Sequence, residues 1–235
     1  MQSILQAIRN DLKANIDPKA KTSFQRFFKE EVKYYGLRTA VAGSIAKTYW
    51  KDVSQLEKKT IFSLCEELLK SDYTEEAFIV SFWLPKYVSY FEKNDLKIFK
   101  RWIDAYINNW AKCDGFCNHT VGDFIEKYPG SVAQIKKWTT SKNRWVNRAS
   151  AVSLIVPAKR GKYLRDIFTI ADALLMDPDD MVQKGYGWLL KEASRKHQKE
   201  VFSYVQNNKS VMPRTALRYA IELMPQVLRV KAMKA

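Results

Sequence analysis

The sequence predicts an all-α fold of stacked helix pairs, a HEAT-like superhelix (solenoid) with a basic concave groove. Apolar residues recur at helical spacing along most of the 235 positions. The eight Gly and seven Pro fall mainly at breaks between these periodic segments. No segment alternates apolar and polar residues as a half-buried strand does. Together these observations indicate a ladder of helices rather than a sheet.

The helices follow in order from the periodic segments and from the Pro and Gly residues between them. In the first half they are predicted at 2–14, 22–31, 38–50, 54–70, 74–92 and 95–109. In the second half they are predicted at 115–127, 131–140, 143–157, 161–175, 179–195, 198–207 and 212–228. The breaks that separate them are Pro18, Gly36, Pro129 with Gly130, Gly161, Pro178 and Pro213. We expect one domain over residues 1–235.

An internal repeat specifies the arrangement of these helices. Residues 143–151 align with residues 179–187 at an offset of 36, with similar residue types at matching positions. In this alignment Arg148 is equivalent to Lys184. A period of this size with two helices per unit is typical of TPR, ankyrin and HEAT-like repeats, and the first two consensus patterns are absent. A HEAT-like solenoid is therefore predicted. An irregular helical bundle with chance similarity between its segments is the alternative.

The charge distribution predicts a polyanionic partner. The chain has 40 Lys plus Arg against 25 Asp plus Glu, a formal net charge of +15. Residues 127–165 contain ten Lys or Arg and no acid, and Lys142, Arg144 and Arg148 lie among them. Apolar residues interrupt these charges at helical spacing, which indicates a folded basic surface rather than a tail. Nucleic acid is the expected partner, contacted by these residues and by Lys184.

Composition also bears on compartment. The longest apolar run, residues 77–85, is far shorter than a bilayer span, and the N-terminus lacks the apolar centre of a signal peptide. The chain has only three cysteines, and an odd number leaves one unpaired, so the set does not indicate a disulfide framework. We therefore expect a cytoplasmic protein without membrane association, and a monomer.

No cofactor or metal site is predicted. Cys113, Cys117 and His119 have the spacing C-x3-C-x-H, which lacks a fourth ligand nearby and differs from usual zinc pairs. No phosphate-binding glycine loop, metalloprotease motif or nucleophile elbow is present.

Three blocks of the sequence carry a family resemblance. Residues 108–129, 141–152 and 184–208 resemble blocks of the AlkD-type DNA alkylation repair proteins, which are HEAT-like-repeat DNA glycosylases. Residues 17–29 and 34–50 are also similar. The resemblance implies hydrolysis of the N-glycosidic bond of positively charged N3- and N7-alkylated purines in duplex DNA. By position, it implies a functional face of Trp110, Asp114, Arg148 and Trp188.

Two features depart from the family pattern. Family members can have a DNA-contacting tyrosine at the position of Phe27. Phenylalanine lacks the hydroxyl group, so a hydrogen bond from it to DNA would be missing. Residues 36–43 (GLRTAVAG) lack a proline often found there. The proposed chemistry does not depend on either feature. Because some relatives bind DNA without excising bases, the alternative function is a non-catalytic binder of damaged or branched DNA. A scaffold for an acidic protein is a third possibility.

Local context offers structural alternatives for the same residues. Trp110 and Asp114 are four apart and would share a helix face, whereas Gly115 suggests that they straddle a helix junction. Asp114 could also cap a helix that begins at Gly115.

The glycines near Trp188 and the remaining tryptophans also have structural explanations. Gly185 and Gly187 could let a DNA backbone approach Trp188, or could instead reflect tight helix packing. The other tryptophans expected in the core are Trp50, Trp83, Trp102 and Trp145, with Trp138 undecided.

Overall fold

The computed structural model describes residues 2–234. The chain forms two compact units, one ending at Phe116 and the other beginning at Cys117. All regular secondary structure within residues 2–234 is helical, with no strand, which confirms the all-α prediction. None of the helices in this range is long and apolar enough to cross a membrane.

The N-terminal unit consists of helices, most of which bury apolar residues. They are α1 (Gln2–Ala14), α2 (Pro18–Phe24), α3 (Thr39–Val53), α4 (Lys58–Lys70), α5 (Thr74–Trp83), α6 (Asp95–Tyr106) and α7 (Trp110–Gly115). Short 3₁₀ helices lie at Gln25–Phe27 and Leu84–Tyr90. The most extensive helix packing in this unit is between α3 and α5.

The C-terminal unit is built from shorter helices. They are α8 (Gly122–Lys127), α9 (Val132–Lys136), α10 (Arg144–Val152), α11 (Ile155–Lys159), α12 (Leu164–Leu174), α13 (Asp180–Ala193), α14 (Gln198–Asn208), α15 (Arg214–Ala220) and α16 (Gln226–Met233). Further 3₁₀ helices lie at Pro129–Ser131 and Lys137–Thr140. Helix α13 is central, because α10, α11, α12 and α15 all pack against it.

The prediction of a helix over residues 22–31 is wrong. Helix α2 begins at Pro18, after Asp17, whose side chain accepts hydrogen bonds from two backbone N–H groups of the first turn. Beyond the 3₁₀ helix, the chain runs to residue 38 without regular structure. The carboxylate of Glu75 holds this segment by accepting the backbone N–H groups of Tyr35, Gly36 and Leu37 at 2.8–3.1 Å. Glu75 is fully buried, so tertiary hydrogen bonds hold the chain around Gly36, where the sequence predicts a break between helices.

Prolines interrupt three other segments for which the sequence predicts continuous α-helices. The predicted helix 143–157 ends as α10 and resumes as α11, because Pro157 has no N–H to donate to the carbonyl of Ser153. The predicted helix 212–228 likewise divides into α15 and α16 before Pro225. The segment 74–92 keeps its α-helical form only as far as Trp83, just ahead of Pro85.

The core tryptophans largely follow the prediction. Trp83, Trp102 and Trp145 are buried, and so is Trp138. The indole N–H of Trp83 donates to the carbonyl of Ala46 at 2.8 Å, which satisfies its buried polar atom. Trp50 is only partly buried, and its ring lies tilted 6.2 Å from that of Trp83.

Candidate functional site

Trp110 and Asp114 lie four residues apart on the same face of α7. This helix begins after Asn109, whose side chain accepts the backbone N–H of Lys112 at 3.0 Å. Asn109 is therefore the N-cap, and the predictions that Asp114 caps a helix or is separated from Trp110 by a junction are wrong. Both side chains are half-buried.

Trp110 is fixed by the segment that carries Phe27. Its indole N–H donates to the backbone carbonyl of Phe27 at 3.1 Å, and its ring stacks on Phe28 with 5.2 Å between centroids. Phe28 belongs to a small apolar cluster with Val32 and Ala111. The ring of Phe27 itself is 69% exposed. One indole face of Trp110 therefore rests on protein, while an adjacent exposed phenyl ring is available to a ligand.

Lys112 anchors the helix between these two residues. Its ammonium group is 1% exposed and donates to the carbonyl and a carboxylate oxygen of Asp72, at 2.7 and 2.6 Å, and to Asn108 at 2.9 Å. Burial lowers the pKa of Lys112, and Asp72 opposes that change. Burial acts to raise the pKa of Asp72, but Lys112, Asn108 and Lys33 together lower that pKa below its ordinary value. A six-residue helix has little stability of its own, so this ion pair contributes to its placement.

A π-helical turn, Phe116–Val121, follows α7. Such turns are rare and occur frequently at functional sites. The thiols of Cys113 and Cys117 are buried on this stretch, whereas His119 is exposed. Residues 2–234 hold no group of three or more His, Cys, Asp or Glu side chains that could bind a metal ion.

Arg148 is packed inside the C-terminal unit. Its side chain is 4% exposed, and its guanidinium group donates to the backbone carbonyl of Met181, in the first turn of α13. Gly185 lies against it, since a β-carbon there would be 3.2 Å from Cγ of Arg148. Arg148 therefore joins α10 to α13, and only a small part of its surface can meet a phosphate.

Trp188 is half-buried on α13, beyond the two glycines. Gly185 and Gly187 are both buried. A β-carbon at Gly187 would lie 2.8 Å from the carbonyl oxygen of Ala216 and from Cβ of Tyr219. Tight packing against α15 therefore explains Gly187, and contact with Arg148 explains Gly185.

Carboxylates pair with much of the basic surface. Arg144 lies 3.2 Å from Asp179, and Lys184 lies 3.1 Å from Asp180. Lys142 is exposed. Elsewhere in the stretch 127–165 the pairs are Lys136 with Asp166, and Arg160 and Lys162 with Glu126. Exposed pairs of this kind are weak, so a phosphate can replace the carboxylate.

The structure thus assigns the predicted residues to two units. Trp110, Asp114 and Phe27 belong to the N-terminal unit, and Arg148, Trp188, Lys142, Arg144 and Lys184 belong to the C-terminal unit. Sequence analysis missed Lys112 and Phe28. No sequence signal separates Lys112 from the exposed lysines, because its partner Asp72 is forty residues away.

The fold was compared with solved structures, and the sequence with curated proteins and family models. A sequence search of curated proteins finds no match. The fold is similar to that of a predicted DNA alkylation repair enzyme from Enterococcus faecalis, with a TM-score of 0.80 and 14% identity over 90% of this chain and 98% of that one. It also resembles the Pseudomonas fluorescens alkylpurine DNA glycosylase AlkC bound to DNA containing an abasic site analog. That match has a TM-score of 0.54 and 16% identity, and it covers 99% of this chain and 66% of the AlkC chain.

The sequence itself gives the decisive match. The model of the family described as DNA alkylation repair enzyme matches residues 8–224, which is most of the chain. The chain belongs to the DNA alkylation repair enzyme family.

Proposed function

We propose that this protein is a monofunctional DNA glycosylase that hydrolyses the N-glycosidic bond of positively charged N3- and N7-alkylated purines in duplex DNA. It would act as a monomer in the cytoplasm, without a cofactor. The observation that carries the proposal is the pair Trp110 and Asp114, an indole and a carboxylate on one face of α7, in a member of this family.

The chemistry requires little more than a placed carboxylate. A cationic alkylpurine departs as a neutral base, so no general acid is needed. As the bond lengthens, positive charge develops on the deoxyribose, and a fixed negative charge near C1′ stabilises that state more than the ground state. Asp114 would supply this charge and hold the attacking water.

Aromatic rings would add to the same effect. Trp110 has one face stacked on Phe28, which fixes its orientation before a substrate arrives. Indole faces stabilise a nearby cation by about 0.5–2 kcal/mol each, according to how well water is excluded. Trp110 would form such a wall for the sugar, and we assign the same type of catalytic contact to Trp188.

Binding to DNA would rest mainly on phosphate contacts. A net charge of +15 favours association with a polyanion, and AlkC, a structural neighbour, is bound to DNA. We assign phosphate contacts to Lys142, Arg144 and Lys184, and to Arg148 a contact limited to the small part of its side chain that is exposed. Phe27, with its exposed ring, would meet the DNA by apolar contact.

The test is release of free base from duplex DNA that contains a single 7-methylguanine. Asp114→Asn should lower the excision rate at least about tenfold while DNA affinity, followed by fluorescence anisotropy, stays nearly unchanged. Asp104→Asn removes the same charge from an exposed position on α6 and is the matched control. An equal rate for the Asp114 variant and the wild type would contradict the proposed role of Asp114.

The burial of Arg148 favours a second candidate function. An arginine that already donates to Met181 offers little to a phosphate beside the lesion, as expected for a chain that binds DNA without chemistry. A non-catalytic binder of damaged or branched DNA would bind the methylated duplex tightly and release no base. Excision that depends on Asp114 would exclude this alternative.

A further inference from the structure

A small cavity lies between α15 and α16, in the C-terminal unit. It has a volume of about 340 Å³ and is lined by Arg218, Ile221, Gln226, Arg229, Val230 and Met233. This volume is at the lower end of the range typical of sites that bind small ligands or a few peptide side chains. Three of its lining residues are apolar, and two are arginines.

Both arginines are exposed and available to a ligand. Among residues 2–234, no carboxylate lies within ion-pair distance of Arg218 or Arg229. The only acid after residue 208 is Glu222, and it pairs with Lys191 instead, at 3.2 Å. Residues 209–234 carry six Lys or Arg in all, so the rim of the cavity is strongly positive.

Exposed apolar side chains lie at the cavity and beside it. Val230 is 45% exposed, and Val227 and Leu223 nearby are 78% and 39% exposed. Exposed apolar side chains clustered beside unpaired arginines are typical of a site that binds a partner with apolar and acidic groups together. A DNA backbone would satisfy the arginines but would leave these valines without a partner.

We propose that this cavity binds a short acidic and apolar peptide segment of a partner protein. Its apolar side chain would enter between Ile221, Val230 and Met233, and its carboxylates would pair with Arg218 and Arg229. Arginine is well suited to this task because its planar guanidinium group holds a carboxylate through two hydrogen bonds. The site does not depend on base excision, so its test is independent of the glycosylase assay.

The experiment measures binding of a short labelled peptide of aspartates followed by leucines, with a free carboxyl terminus. A peptide with asparagines in place of the aspartates is the control ligand. We expect the acidic peptide to bind the full chain and the asparagine peptide to bind at least about fivefold more weakly. Failure of the wild-type chain to bind the acidic peptide would overturn the proposal.

Two pairs of variants test the location of the site. Arg229→Gln and Val230→Ala should weaken peptide binding at least about fivefold. Arg214→Gln and Val211→Ala change the same residue types at exposed positions outside the cavity, and should change binding less than about twofold. All four positions are exposed, so the variants should fold.

Three outcomes would overturn the assignment. Equal losses in Arg214→Gln and Arg229→Gln would show attraction by overall charge alone. Weaker duplex DNA binding in Arg229→Gln than in Arg214→Gln, with peptide binding unchanged, would assign the cavity to DNA. A dimer in sedimentation that Val230→Ala converts to monomer would make a second copy of this chain the occupant.

Discussion

The indole N–H of Trp110 donates a hydrogen bond to the backbone carbonyl of Phe27, a residue 83 positions earlier in the chain. Because Trp110 also stacks on Phe28, the helix that carries Asp114 and the segment that carries an exposed phenyl ring are fixed to one another. The proposed aromatic wall and a proposed DNA contact are therefore one structural assembly within the N-terminal unit.

Trp110→Phe should separate the hydrogen bond from the stacking. The phenyl ring can still lie against Phe28, but the carbonyl of Phe27 loses its donor, so the free energy of unfolding should fall by about 0.5–1.5 kcal/mol. Excision should fall as well, since a phenyl face attracts a cation less strongly than an indole face does. Urea unfolding and base release are the measurements.

Phe27→Ala is the matched control for this variant. It removes an exposed ring and leaves the backbone carbonyl in place, so stability should change by less than about 0.5 kcal/mol while DNA binding weakens. Loss of stability in Phe27→Ala with unchanged DNA affinity would show that this ring serves the fold.

Lys112→Met should destabilise the N-terminal unit. The substitution removes a buried ammonium group with three acceptors, and hydrogen bonds to a charged group contribute about 1.5–3 kcal/mol each at most. Asp72 can regain water because its side chain is 45% exposed, so the expected net loss is on the order of 2 kcal/mol. Chemical denaturation would measure it.

Lys33→Met provides the control for Lys112. Lys33 is exposed and donates to the carbonyl of Ser71, one residue before Asp72. The substitution Lys33→Met therefore removes a positive charge from beside the same turn. Its loss should cost less than about 0.5 kcal/mol. Equal effects of the two substitutions would mean that burial gives Lys112 no special role.

Arg148→Ala should affect both stability and DNA binding. It removes a buried side chain that joins α10 to α13, with an expected loss on the order of 2–4 kcal/mol in the free energy of unfolding. If Arg148 contacts a phosphate, the slope of log DNA affinity against log salt concentration should be smaller by about one unit in the variant than in the wild type. Anisotropy at several salt concentrations measures that slope.

Arg144→Ala is a useful comparison for Arg148. Arg144 is partly exposed and pairs with Asp179, so its removal should cost less than about 1 kcal/mol of stability yet still lower the salt slope. If Arg148→Ala lowers the free energy of unfolding but leaves the salt dependence of DNA affinity unchanged, Arg148 has a structural role only.

Gly187→Ala should destabilise the C-terminal unit even though alanine favours a helix by about 1 kcal/mol over glycine. The new β-carbon would lie 2.8 Å from backbone and side-chain atoms of α15, and overpacking typically costs about 1–3 kcal/mol. Thermal unfolding should show a lower Tm.

Gly130→Ala is the control for this substitution. A β-carbon at Gly130 would meet no atom within 4 Å, so its Tm should be equal to or slightly above that of the wild type. A Gly187→Ala variant as stable as Gly130→Ala would show that α15 can move away without cost.

Helical periodicity was sufficient for the helical class and for the positions of most helices, because repeated apolar spacing is a local property of the chain. It wrongly predicted helix over residues 28–31, and it could not show that the neighbouring break at Gly36 is held by the buried carboxylate of Glu75, which accepts three backbone N–H groups. Long apolar segments also hid the breaks at Pro157 and Pro225. In these places tertiary contacts or a missing N–H outweighed the periodic pattern.

The sequence by itself determined the all-α class, the strong positive charge and the membership of the family, since periodicity, composition and motif spacing are written along the chain. Only the tertiary structure decided that Trp110 and Asp114 share α7, that Lys112 is buried against Asp72, and that Arg148 packs under Gly185. The contacts of Lys112 and Arg148 join them to partners 40 and 33 residues away in the sequence, and the burial of these two cations sets the strength of each contact. No local pattern records such burial.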